Sequence, residues 1–119
     1  MKSIPIYDVS APIVCTISDD EAAERVALLE RLRHTLDHVE RTEHGLLLRF
    51  SDEPAIAADV RRFSVDEKRC CQFWGFEVSS RSGELTLRCD GPPGADDLLD
   101  QLHAYFLGEQ PLTALTGLL

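Results

Sequence analysis

The chain has 119 residues and a mass of 13.3 kDa, which is the size of a single domain. Hydrophobic residues make up 44% of it and charged residues 28%, so a core can form without disulfides or a structural metal. The net charge of −9, without a basic stripe, argues against nucleic acid and against an anionic membrane surface as partners.

No stretch of the sequence approaches the roughly 20 apolar residues that a membrane helix needs. The first eight residues carry one cation and no apolar run, unlike a secretory signal. We therefore expect a cytoplasmic protein with reduced thiols, in which four cysteines do not form a disulfide framework.

The chain divides into a loose leader over residues 1–11, a single domain over 12–108 and a C-terminal tail over 109–119. A β-branched run at residues 13–17 predicts a short first strand. Apolar residues at three- and four-residue spacing then predict a first helix from Asp20 to about Leu36.

Two strands are predicted next, a weak one over residues 37–41 and a stronger one over 46–50, with a turn at Glu43-His44-Gly45 between them. The second helix starts near Pro54, where a missing N–H costs nothing, and runs to about Cys71.

Alternating aromatic residues over 72–79 predict another strand, which buries every other ring. A hairpin turn at residues 80–83 leads into a strand over 84–89, and the last helix spans about 95–106. The order β-α-β-β-α-β-β-α predicts an α+β fold, in which an antiparallel sheet carries its helices on one face.

An internal similarity is consistent with this order. The segment 46–54 aligns without gaps on 85–93, and the same offset places Val60 on Leu99 and Phe63 on Leu102. Either the chain contains a strand–turn–helix repeat, or any such junction imposes similar demands on sequence.

Four cysteines offer the main chemical signal. Cys15 is in phase with the apolar residues of its predicted strand, and Cys89 is in phase with Leu85 and Leu87, so each can be a buried core residue. Cys70 and Cys71 differ from these because they are adjacent and lie near a helix end.

Glu67 falls close to the centre of the apolar stripe of the second helix, with Cys70 and Cys71 on either side. A buried carboxylate is costly unless it is paired or binds a cation. Alternatively, the helix ends near Arg62, Glu67 reaches water, or the basic residues at 68 and 69 neutralise it.

Thiolates favour soft ions such as Cu(I) and zinc. The Cys-x2–4-Cys spacing of structural zinc sites is absent, and so is the Cys-x-x-Cys of thioredoxin-like proteins. Bridging of two adjacent cysteines is uncommon because of their trans peptide, although a reversible disulfide between them under oxidation stays open.

The segment Asp66-Glu67-Lys68-Arg69-Cys70-Cys71-Gln72-Phe73-Trp74-Gly75-Phe76 resembles the signature of a family of small bacterial proteins. Its members carry Glu-basic-basic-Cys-Cys-Pro-Phe-aromatic-x-Phe, a hairpin, and a Gly-Pro turn into a last helix. This chain departs from the pattern at Gln72, where proline is usual. The resemblance implies heavy-metal handling and a site formed by Cys15, Glu67, Cys70 and Cys71, whereas Cys89 is not part of the pattern.

The sequence therefore predicts a protein that binds a thiophilic metal or metalloid ion through Cys70 and Cys71. Cys15 completes the ligand set, and Glu67 serves as an oxygen ligand or as a hydrogen-bonding partner of the ligands. One alternative is an acidic interaction or homo-oligomerisation module that uses the apolar tail at 112–119. A weaker one is a thiol-dependent enzyme, for which no catalytic residue is predicted.

Overall fold

The computed structural model describes residues 5–8, 10 and 19–109, except for the side chains of residues 19–22 and 70. In this part of the chain three helices and four strands follow one another. They are α1 (Asp19–Thr35), β1 (Leu36–Arg41), β2 (Gly45–Ser51), α2 (Pro54–Cys70), β3 (Gly75–Arg81), β4 (Glu84–Asp90) and α3 (Asp96–Phe106), with a 3-10 turn (Pro93–Ala95) before α3.

The four strands form one antiparallel sheet in the order β1-β2-β4-β3. The predicted α+β class and its antiparallel sheet are confirmed. The predicted strand at 13–17, with Cys15, and residues 110–119 of the predicted tail lie outside the described residues.

The core lies on one face of the sheet. Alternate side chains of the two central strands are almost completely buried: Leu46, Leu48, Phe50, Leu85, Leu87 and Cys89. The residues between them are partly exposed, for example Arg49 and Thr86. Because successive strand residues point to opposite faces, the helices cover one face, as predicted.

Each of the two central strands is followed by a helix. The two segments that are similar in sequence are therefore the junctions β2–α2 and β4–α3. Val60 and Phe63 of α2 are buried, and so are Leu99 and Leu102 of α3, to which the sequence alignment matches them. β2 and β4 pair antiparallel along their whole length. The two strand–helix units therefore meet at the middle of the sheet.

β3 begins at Gly75, three residues later than the aromatic pattern predicted. Phe73 and Trp74 are both fully buried, with ring centroids 4.6 Å apart. Consecutive residues of a strand cannot both point into one core, but residues of a turn can. The Trp74 N–H donates to the Cys71 carbonyl at 3.2 Å, so this short segment is a turn that places both rings inside.

Residues 5–8 lie against the start of β3 rather than apart from the domain. The Ile6 N–H donates to Asp90 Oδ2 at 3.2 Å, and the Asp8 N–H donates to the Phe73 carbonyl at 3.1 Å. A Cβ at Gly75 would lie 2.0 Å from the Ile6 carbonyl oxygen, so glycine is required for this approach. These four residues therefore pack against the sheet.

Within the described ranges, no helix combines the length and the apolar character that crossing a membrane requires.

Candidate functional site

The C-terminal turn of α2 carries the residues that the sequence singled out. The helix continues to Cys70, well past Arg62, so Glu67 stays on its buried stripe and is only 3% exposed. Lys68 does not neutralise it, because the Lys68 ammonium donates to the carbonyls of Gln72 and Trp74. A carboxylate is therefore held inside the protein, one turn before Cys71.

Arg25 of α1 is the partner of Glu67. Its Nη2 donates to Glu67 Oε1 within a buried ion pair, and its Nη1 donates to the Asp66 carbonyl at 3.3 Å. The second oxygen, Glu67 Oε2, is also buried and has no hydrogen-bond partner among the described residues. Burial raises the pKa of Glu67 above its ordinary value, while the positive charge of Arg25 acts in the opposite direction.

Sequence reasoning missed Arg25, although the sequence contained a signal. Arg25 precedes Leu28, Leu29 and Leu32 at the spacing of one helical stripe, and all three leucines are buried. A cation on the buried stripe of one helix and an anion on that of the next indicate an ion pair across the helix interface.

Cys71 follows the last residue of α2. Its N–H donates to the Glu67 carbonyl at 2.7 Å, its side chain is fully buried, and its sulfur is part of a disulfide. Cys15 and the side chain of Cys70 lie outside what the structure describes.

Cys89 is a free thiol, buried in β4 on the core side with Leu85 and Leu87. This is the position that its strand phase predicted. Burial raises the pKa of the Cys89 thiol well above its ordinary value, and the negative charges of Glu67 and Asp90 raise it further. A thiol that stays protonated is a poor nucleophile, so Cys89 is a core residue rather than a reactive one.

Asp90 is a second buried carboxylate, and sequence reasoning did not identify it. Its Oδ2 accepts hydrogen bonds from the Ile6 N–H and, at 2.6 Å, from Arg88 Nη2, whereas its Oδ1 is buried without a partner in the described part of the chain. The only local signal was the spacing of Arg88 and Asp90, which places both on one face of a strand.

Among the described side chains, no three histidine, cysteine, aspartate or glutamate residues are grouped so as to hold a metal ion. Of the four predicted ligands, the described part contributes the carboxylate of Glu67 and the sulfur of Cys71. These two residues lie one helical turn apart. The contribution of Cys15 and of the Cys70 thiol stays a prediction.

No protein-family model, no curated protein and no solved structure matches this chain.

Proposed function

We propose that this chain binds a soft metal or metalloid ion through the thiolates of Cys70, Cys71 and Cys15, with Glu67 as an oxygen ligand or as a hydrogen-bonding partner of the ligands. The observation that carries the proposal is the disulfide at Cys71 beside a buried carboxylate. Reduction of this disulfide would give two neighbouring thiols, and two neighbouring thiolates can chelate one thiophilic ion.

The free oxygen of Glu67 supports the proposal independently. A buried carboxylate oxygen without a hydrogen-bond donor is costly, and a nearby cation or thiol would offset that cost. The set of donors combines soft sulfur with one hard oxygen, which is compatible with several thiophilic ions. Full burial of Cys71 would keep water away from the bound ion.

The proposal includes a redox requirement. The dithiol form binds the ion and the disulfide does not, so function would need a compartment that keeps thiols reduced, such as the cytoplasm. Because thiols lose their protons when they bind a metal ion, binding should release protons.

The test is a titration of the reduced protein with Cu(I), Hg(II) or arsenite under anaerobic conditions, followed by native mass spectrometry and a free-thiol count. We expect one ion per chain with at least two thiols protected. Replacing both Cys70 and Cys71 by serine should abolish binding, whereas the control variant Cys89→Ala should retain it. Tight binding by the double variant would refute the proposal.

The disulfide favours a second candidate, thiol–disulfide exchange. In this reaction two equivalents of a small thiol reduce the bond to two cysteine thiols and are themselves joined in a disulfide. Equilibration in glutathione buffers measures the reduction potential. A value below about −300 mV would identify the bond as structural, and a higher value would favour exchange.

Self-association through residues 112–119 is the remaining alternative from the sequence. Truncation after Gly108 should convert an oligomer into monomers in sedimentation experiments. An unchanged sedimentation coefficient per chain would exclude this role for the tail.

A further inference from the structure

A cleft of about 710 Å³ lies between residues 5–8, the last two turns of α2 and the start of β3. Its volume falls in the range of about 300–1,000 Å³ that is typical of small-molecule sites. Three apolar side chains line it, one from each element: Ile6, Val65 and Phe76. Val65 is 66% exposed, which is unusual for a large aliphatic residue of a helix that otherwise buries its apolar stripe.

The charge of the cleft is opposite to that of the whole chain. Among the described residues, Lys68 and Arg69 line it with a single acidic residue, Asp8, on a chain whose net charge is −9. The Asp8 carboxylate is turned toward Ser10, whose N–H and hydroxyl both donate to Oδ1, at 2.9 and 2.6 Å. Within the described lining, positive side chains therefore outnumber negative ones.

Lys68 is the best placed of these charges. Its ammonium donates to the carbonyl of Gln72 and, at 2.7 Å, to that of Trp74, which fixes the side chain in the wall of the cleft. Neither acceptor carries a net charge, and Lys68 forms no ion pair with a carboxylate of the described residues. One of its three N–H donors is thus left for a ligand. A positioned cation without a counter-charge is a site for an anion.

We propose that this cleft binds a small organic anion, with Lys68 contacting its acidic group and with Ile6, Val65 and Phe76 contacting its apolar part. The matching ligand is a carboxylate or sulfonate that carries a hydrocarbon or aromatic body. Neither Cys71 nor Cys89, the cysteines whose side chains the structure describes, lines this cleft, and the inference does not rest on the proposed metal binding.

The first test uses the fluorescent probe anilinonaphthalene sulfonate, which has the proposed chemistry, with octanoate as the competitor. We expect saturable binding of one probe per chain, displaced by octanoate. Lys68→Met should weaken binding by about tenfold or more, because it removes a charge-assisted hydrogen bond. Arg61→Gln is the matched control, since it removes a charge from the exposed side of the same helix and should leave affinity unchanged.

A second pair of variants keeps the test decisive if Lys68→Met fails to fold. Val65→Glu places a carboxylate in the cleft at an exposed position, so it should fold normally and bind the probe more weakly. Ala58→Glu adds the same charge elsewhere on α2, where the residue is exposed, and should bind like the wild type. Absence of saturable binding, or equal affinities for Val65→Glu and Ala58→Glu, would overturn the proposal.

Discussion

Arg25 of α1 and Glu67 of α2 form an ion pair across the helix interface in which the two side chains are only 3% and 4% exposed. Such a pair contributes little net stability, since removing two charges from water costs about as much as their attraction returns. Removing one partner lowers stability strongly, because the other charge is then buried without a counter-charge.

Arg25→Met should therefore lower the free energy of unfolding by about 3–5 kcal/mol. Arg62→Met is the matched control. It breaks surface ion pairs with Glu24, at 3.1 Å, and with Asp66, at 3.6 Å, and should cost less than about 1 kcal/mol. Urea denaturation measures both. The double variant Arg25→Met/Glu67→Leu should recover most of the loss, and failure to recover would mean that Arg25 acts through packing instead.

The same pair predicts a pH dependence. Because burial raises the pKa of Glu67, the native state keeps a proton that the unfolded chain has already lost. Stability therefore falls as the pH rises from the carboxyl's ordinary value through its native pKa. In Arg25→Met the opposing positive charge is gone, so the fall should extend to higher pH. Denaturation curves between pH 4 and about 8 would test this, and a flat profile for the variant would contradict it.

Tyr105 of α3 is the next residue with a testable ionisation. Its hydroxyl donates to Glu30 Oε1 at 2.9 Å, and burial together with this carboxylate raises the pKa of Tyr105 to about 12. Ultraviolet absorbance after a rapid pH jump should reveal a phenol that ionises near this value. The transition should vanish in Tyr105→Phe and persist in Tyr7→Phe. At neutral pH, loss of this hydrogen bond should cost about 1 kcal/mol.

Gly75→Ala should detach residues 5–8 from the sheet. The added Cβ would lie 2.0 Å from the Ile6 carbonyl oxygen, a distance that no rotamer change can relieve. We expect a loss of about 1–3 kcal/mol and faster hydrogen exchange at the amides of Ile6 and Asp8. A chain lacking residues 1–8 is the reference, because the same substitution should cost much less there. Unchanged exchange at both amides would contradict the contact.

The hairpin between β3 and β4 offers a stabilising change. Ser82 and Gly83 have φ angles of 53° and 79°, which is the left-handed pair of a two-residue type I′ turn. Asparagine adopts this conformation more readily than serine, so Ser82→Asn should raise stability by about 0.5 kcal/mol. Ser79→Asn, within the extended part of β3, should give no increase. Thermal denaturation would distinguish the two.

The order of the elements was readable from the sequence because helix and strand periods differ and because Pro54 and the hairpin residues mark boundaries. Strand neighbours were not readable. A period of two assigns each residue of β4 to a face, but it does not say that β4 pairs with β2 as well as with β3. The predicted start of β3 was three residues too early. Phe73 and Trp74 belong to a turn, but together with Phe76 and Val78 they resemble the alternating apolar pattern of a strand.

The candidate site was predicted only in part, because several of its contacts join residues from different elements. The spacing of a single helix placed Glu67 on the apolar stripe of α2, but it left open whether the helix continued far enough to bury this residue. Its partner Arg25 lies on another helix, so finding it required a comparison of two stripes. The bond between Ile6 and Asp90 joins residues that are distant in the chain, and no local pattern encodes it.

The two strand–helix units allow the same position to be compared twice within one molecule. The alignment that places Leu46 on Leu85 also places Glu67 on Phe106, which is an apolar, buried residue at the end of α3. In one half this helix position is occupied by a ring, and in the other half by a carboxylate. The helix position that holds a buried aromatic ring in α3 thus holds, in α2, a buried carboxylate that is paired with Arg25 of a third helix.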